Sequence, residues 1–75
     1  MPTLADNRTN QPLHIERFTN PELEIKLLEF GLTPNSEVTI IKKTPFGGPI
    51  IIATENGKLA LRVTEANTII VKTSK

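Results

Sequence analysis

Asn56-Gly57 stands between two aliphatic runs, Ile50 to Thr54 and Leu59 to Val63, and no other feature narrows the possible folds as much. An Asn-Gly pair in that setting predicts a two-residue hairpin of type I′, whose central positions both need a positive φ. Such a turn would place Glu55 opposite Lys58, Ala53 opposite Ala60 and Ile51 opposite Arg62. One face then carries Ile50, Ile52, Thr54, Leu59, Leu61 and Val63; the other carries Ile51, Ala53, Glu55, Lys58, Ala60 and Arg62. A slip by one residue would exchange the two sets, so the pattern resists it.

The rest of the chain divides into short elements. Residues 1–12, with Pro2, Pro12 and the polar stretch Asp6 to Gln11, read as a weakly ordered N-terminal arm or as an edge segment tied down by Leu4. Residues 13–75 read as a single domain. From Pro12 onward Leu13, Ile15 and Arg17 alternate with His14, Glu16 and Phe18, which predicts a first strand. Residues 21–30 predict the one clear helix, with Asn20 as N-cap, Pro21 at the first position and Gly31 in the left-handed position that ends it. Leu23, Leu27 and Phe30 share one face, whereas Ile25 and Leu28 form a second, offset stripe.

Thr33-Pro34-Asn35-Ser36 reads as a turn with Asn35 at the position of positive φ. Glu37 to Lys43 reads as a strand with Val38 and Ile40 on one face. Thr44-Pro45-Phe46-Gly47-Gly48 breaks it, and Gly48 is needed there for a positive φ or for close backbone approach. A helical turn near 64–67 and a last strand, Thr68 to Lys72, with Ile69 and Val71 inward, complete the chain. About five short strands and so few core residues favour a mainly β fold, a small, strongly curved barrel. Closure would also hide the edge of the Ile-rich strand.

Composition removes most chemistry. The 75 residues hold no cysteine, which excludes disulfides, thiolate metal sites and cysteine nucleophiles, and His14 is the single histidine. A net charge of +1, no Trp, no Tyr and three Phe do not suit a nucleic-acid platform, so no nucleic-acid partner is expected. Charge is uneven: residues 21–32 carry −2, and residues 33–75 carry +3. The N-terminus has neither a basic nor an apolar signal region, and Ile50 to Ala53 is far too short to span a bilayer. A cytoplasmic protein without direct membrane insertion is expected.

Three blocks in order carry a family resemblance: Leu27-Leu28-Glu29-Phe30-Gly31-Leu32-Thr33-Pro34, then Thr44-Pro45-Phe46-Gly47-Gly48-Pro49-Ile50, then Leu59-Ala60-Leu61-Arg62 followed by Glu65-Ala66 and Ile69-Ile70-Val71. With these blocks the chain resembles the ferrous iron transport protein A family, from about Leu4 to Lys72. The resemblance implies an SH3-like barrel without catalytic residues or a cofactor. It also implies a partner, a membrane ferrous iron transporter carrying a GTP-binding domain. Asn35 stands where this family commonly has glycine, and Asn is the next-best residue for a positive φ. The alternative is a generic SH3-like adaptor unrelated to iron.

Candidate chemistry is thin. His14 and Glu16 share a strand, but two ligands make a poor metal site beside the four of structural zinc. Glu22, Glu24 and Glu29 suit a solvated helix face near the positive end of the helix dipole. Gly47-Gly48 lacks the Lys-Ser/Thr and the following helix of a phosphate loop. What remains is a partner surface. Ile25 and Leu28 either bury against the barrel or the arm, or form the apolar centre of an interface. Phe46 either plugs the barrel end or joins that interface, with Ile51 and Arg62 as neighbours. The structural turns expected around these residues are Gly31, Asn35, Gly47, Gly48 and Gly57.

Overall fold

The computed structural model describes residues 2–73, so Met1 of the arm and residues 74–75 of the expected domain lie outside the described residues. Five strands form one antiparallel sheet in the order β4-β3-β2-β1-β5: β1 Pro12–Phe18, β2 Glu37–Lys43, β3 Ile50–Thr54, β4 Gly57–Leu61 and β5 Ile69–Thr73. Two helices join them, α1 Pro21–Glu29 between β1 and β2, and α2 Val63–Ala66 between β4 and β5. Extents of 28 × 27 × 26 Å are almost equal in every direction, which requires the sheet to curl around its contents. Inside lie Leu13, Ile15, Val38, Ile40, Ile50, Ile52, Leu61, Ile69 and Val71 from the strands, closed over by Leu4, Leu23, Leu27, Leu32 and Ala66.

Helix α1 begins and ends as its sequence dictates. The Asn20 side chain accepts hydrogen bonds from the Glu22 and Leu23 amides at 3.1 and 3.3 Å. At the other end Gly31 has φ 98°. The Leu32 amide donates to the Leu27 carbonyl at 2.8 Å, and the Gly31 amide donates to Leu28 at 2.9 Å. That bond pair is a Schellman motif, and it turns the chain so that Leu32 is buried. Leu23 and Leu27 enter the core, and Phe30 packs against it half-buried.

Two β-bulges revise the expected alternation. In β1 the pairing with β5 shifts between Ile15 and Arg17, so Phe18 packs on the core while Arg17 is exposed. In β2 the pairing with β3 shifts between Ile40 and Lys42, so Lys42 pairs with Ile51 and Lys43 with Ile50. An inserted residue reverses the alternation beyond it, which the sequence pattern alone did not announce.

The hairpin register is also different from expectation. Thr54 pairs with Gly57, Ile52 with Leu59 and Ile50 with Leu61, so the two-residue turn is Glu55-Asn56. The left-handed residue is Gly57, with φ 120°, and Asn56 is not left-handed, so the turn is not type I′. Side chains explain the choice. Thr54 Oγ1 accepts from the Asn56 amide at 3.0 Å and donates to the Gly57 carbonyl at 2.8 Å. Asn56 Nδ2 donates to the Phe30 carbonyl at 3.0 Å, tying the turn to the end of α1. The shift is by an even number of residues, so the expected faces survive: Ile50, Ile52 and Leu61 are buried, and Lys58, Ala60 and Arg62 are exposed.

The N-terminal segment packs on the edge of β5. Leu4 is fully buried at the start of a 3-10 turn, Leu4–Asp6. Thr3 bridges Ile70, the Val71 amide donates to the Pro2 carbonyl at 3.2 Å, and the Asn10 amide donates to the Ile40 carbonyl at 2.7 Å. This cover explains why Ile70, expected to face outward, is only 7% exposed. The expected helical turn near 64–67 lies one residue earlier, where the Glu65 carboxylate accepts from the Arg62 amide at 2.9 Å.

Candidate functional site

The connection between β2 and β3 holds two consecutive left-handed residues, an arrangement found nowhere else among the described residues. Phe46 and Gly47 have φ 62° and 75°, and the Gly48 amide donates to the Pro45 carbonyl at 3.4 Å. Two consecutive left-handed central residues make a turn of type I′ geometry, the hairpin turn whose twist matches that of its flanking strands. Glycine takes that conformation without cost, but for a bulky aromatic it costs on the order of 1–3 kcal/mol. Phe46 recovers none of this by burial: its exposure is 104%, so it does not plug the barrel end. A left-handed backbone holding an aromatic ring entirely in water makes Phe46 a candidate for contact with a partner.

Gly48 is not left-handed, and close approach is the reason for glycine there. A Cβ at this position would lie 2.7 Å from Thr44 Cγ2 and 2.8 Å from Thr44 Cβ. Gly48→Val should therefore lower stability by more than about 1 kcal/mol through overpacking, whereas the same change at Gly47 meets open space and costs only its backbone strain. Thermal unfolding of the two variants measures both effects, and an unchanged midpoint for Gly48→Val would contradict the clash.

Register places the other surface residues. Ile51 lies across from Lys42 on one side and Ala60 on the other, so these three form one row on the outer face. Thr39, Ala53 and Lys58 form the next row. Arg62, two residues beyond Ala60, is exposed at the same end as Ile51 and the Phe46 turn. Ile25 and Leu28 lie elsewhere. They are 61% and 57% exposed on α1, whose C-terminal end is tied to the Glu55-Asn56 turn at the opposite end of the β3–β4 hairpin. The five residues singled out in the sequence thus fall into two separate patches. Burial of Ile25 and Leu28 against the barrel or the arm does not occur.

Chemistry of other kinds has little to work with. Among the described residues no group of three or more His, Asp and Glu side chains comes together to hold a metal ion. His14 is half-buried between Glu37 and Lys72 in register, and Glu16 beside it is exposed at 3.5 Å from Arg17. A depression lined by Gly31, Leu32, Ser36, Glu37, Glu55 and Asn56 separates α1 from the hairpin turn and is no larger than a water-sized group. No helix among the described residues is long and apolar enough to cross a membrane. The left-handed Phe46 was missed in the sequence because Gly47 and Gly48 both follow it and either would take a positive φ more readily. The available signal was the short span between the strand ends, Lys43 and Ile50.

A five-stranded curled sheet closed over by helix α1, with exposed apolar residues on a loop and on that helix, defines a small β-barrel domain. The FeoA domain model matches residues 3–73, and the chain belongs to that family. Iron(II) transport protein A from Clostridium thermocellum is similar in structure, with TM-score 0.85 and 32% identity, over 95% of this chain and 44% of that one. The chain therefore spans under half the length of that relative.

FeoA from Stenotrophomonas maltophilia in complex with zinc has TM-score 0.82 and 25% identity over 96% of this chain and 91% of its own. It is described as a prokaryotic SH3 domain protein proposed to act as a bacterial ferrous iron transport activating factor. A manganese-dependent transcriptional repressor shares the fold alone, with TM-score 0.86 and 19% identity over 96% of this chain and 36% of that one. No curated protein sequence matches the chain. The fold is SH3-like and mainly β, as the sequence led us to expect.

Proposed function

We propose that the chain is a non-enzymatic, cytoplasmic accessory that supports ferrous iron uptake by binding a membrane ferrous iron transporter with a GTP-binding domain. It needs no cofactor for this role. Membership of the FeoA family supports the iron connection. The observation that carries the binding role is Phe46, held left-handed and fully in solvent. Exposed aromatic side chains are the usual anchors of protein interfaces, and a rigid turn reduces the entropy lost on docking. Ile51 and Arg62 lie at the same end of the sheet as that anchor, and Ile25 with Leu28 offers a second, separate apolar contact. Binding shifts the transporter's GTP-linked conformations only if the module prefers one of them.

The test is a titration of the chain against the transporter's isolated cytosolic part and against the full-length transporter, in each nucleotide state. Binding in at least one state is expected. No binding in any state, together with normal iron uptake in a deletion strain, would sink the proposal. Two variants then divide the surface. Phe46→Ser should weaken binding by about tenfold or more, as loss of an interface anchor does. The pair Ile25→Ser and Leu28→Ser should weaken it with the fold intact, since both side chains are already exposed. Unfolding of that pair would contradict the exposure of the α1 stripe.

A further inference from the structure

The sheet has two edges, and they are treated differently. The outer edge of β5 is occupied by the chain's own N-terminus, through the Thr3–Ile70 bridge and the bond from the Val71 amide to Pro2. Among the described residues no strand lies beside the outer edge of β4. In a two-residue hairpin the residues flanking the turn are a hydrogen-bonded pair, and such pairs alternate along the strands. Gly57, Leu59 and Leu61 therefore bond to β3, and the backbone groups of Lys58 and Ala60 point away from it. Both residues are exposed. We propose that this edge accepts an extended segment of a partner protein as a sixth strand, and that the segment alternates acidic and apolar residues.

The alternation follows from what flanks the edge. On the outer face a sixth strand would meet Lys58, Ala60 and Arg62 in succession, with Lys42 two strands away on the same face. The β2 bulge is what places Lys42 there and sends Lys43 the other way, where its ammonium donates to the Ala5 carbonyl at 2.9 Å. Of the nearby acids, Glu55 belongs to the turn and Glu65 is engaged with the Arg62 amide. Carboxylates on the incoming strand complement this row of cations. On the opposite face the strand would meet Leu59, half-buried at the edge, and Leu61, which suits apolar side chains.

The same cations disfavour a second copy of this chain. Two β4 strands laid antiparallel about Ala60 would set Lys58 opposite Arg62, and like charges directly opposite are destabilising. Three cations without stacking aromatics on the face also suit a carboxylate-bearing strand better than a nucleic acid. The identity of the partner rests on the accessory reading above; the edge itself does not.

The probe is an alternating (Glu-Val)5 peptide added to the isotopically labelled chain at low salt and followed by amide chemical shifts. Perturbation of residues 57–62 and of Ile51 and Ala53 is expected, together with loss on adding salt. The double variant Lys58→Glu with Arg62→Glu should weaken binding by about tenfold, the effect of losing two exposed charge pairs. Ala60→Pro, which blocks the edge, should abolish it, and an unchanged melting temperature in the charge variant separates binding from folding.

Shifts confined to α1 or β5, equal binding of (Lys-Val)5, tighter binding of a single-stranded oligonucleotide, no peptide binding, or an unaffected charge variant would each overturn the proposal. Repeating the titration with the transporter's cytosolic part distinguishes the two readings. Transporter binding with no peptide binding at the edge overturns the edge and leaves the accessory role. Peptide binding without transporter binding leaves the edge and overturns the role.

Discussion

Leu4→Ala is expected to lower the stability of the chain by about 2–5 kcal/mol, the range for removing a fully buried leucine. For a chain of 75 residues that is a shift of the unfolding midpoint by about 10 °C or more. A weakly ordered arm would give nearly nothing, so the size of the effect reports directly on whether the N-terminus belongs to the core. The physical basis is that Leu4 is fully buried, at the head of a 3-10 turn whose Asp6 carboxylate accepts from the Thr3 amide at 3.3 Å. Asn7 adds a bond from its side-chain amide to the Thr3 carbonyl at 2.8 Å. Domains of this size have total stabilities of only about 5–10 kcal/mol, so one leucine is a large share. Amide exchange offers a second readout. The Val71 amide, bonded to Pro2, should lose protection in the variant while amides inside the β2–β3 ladder keep theirs. An unchanged midpoint with unchanged Val71 exchange would detach the arm from the fold.

Gly31→Val should be comparably damaging, by about 2–4 kcal/mol, for two reasons that can be separated. The backbone there has φ 98°, which a β-branched residue adopts only with strain. A Cβ would also run into the Asn56 side-chain amide, which is then displaced from the Phe30 carbonyl. A double-mutant cycle with Gly31→Ala and Asn56→Ala divides these effects. Once Asn56 is truncated the clash is gone, and Gly31→Ala should cost only its strain, about 1 kcal/mol. Additive costs in that cycle would mean that the two residues do not meet. The joint matters because this bond ties the helix end to the hairpin turn, and so it bears on the angle at which Ile25 and Leu28 are presented.

Much of this architecture was legible because the signals were local. Asn20, Pro21 and Gly31 fix the ends of α1 by satisfying or omitting backbone bonds within one turn of chain. Asn35 takes φ 77° between Pro34 and Ser36, as a short-range turn pattern requires. The faces of β3 and β4 follow from period-two alternation, which any even register preserves. The bulges at Glu16 and Ile41, the burial of Ile70 and the exposure of Ile25 were not legible. Each depends on what another segment does at a distance. Ile70 is covered because Thr3 lies beside it, and Ile25 is bare because the arm went to β5 instead of to the helix.

By itself, then, the sequence determined roughly where helix α1 and the five strands lie, and which face of β3 and β4 is apolar. Those choices are set by backbone dihedrals and side-chain alternation over a few residues. Only the tertiary structure decided the hairpin register, since the apolar pattern is equally satisfied two residues away and the choice fell to Thr54 and to the bond between Asn56 and Phe30. It also decided which sheet edge is closed and that Phe46 stands in solvent, because both depend on where separate segments meet.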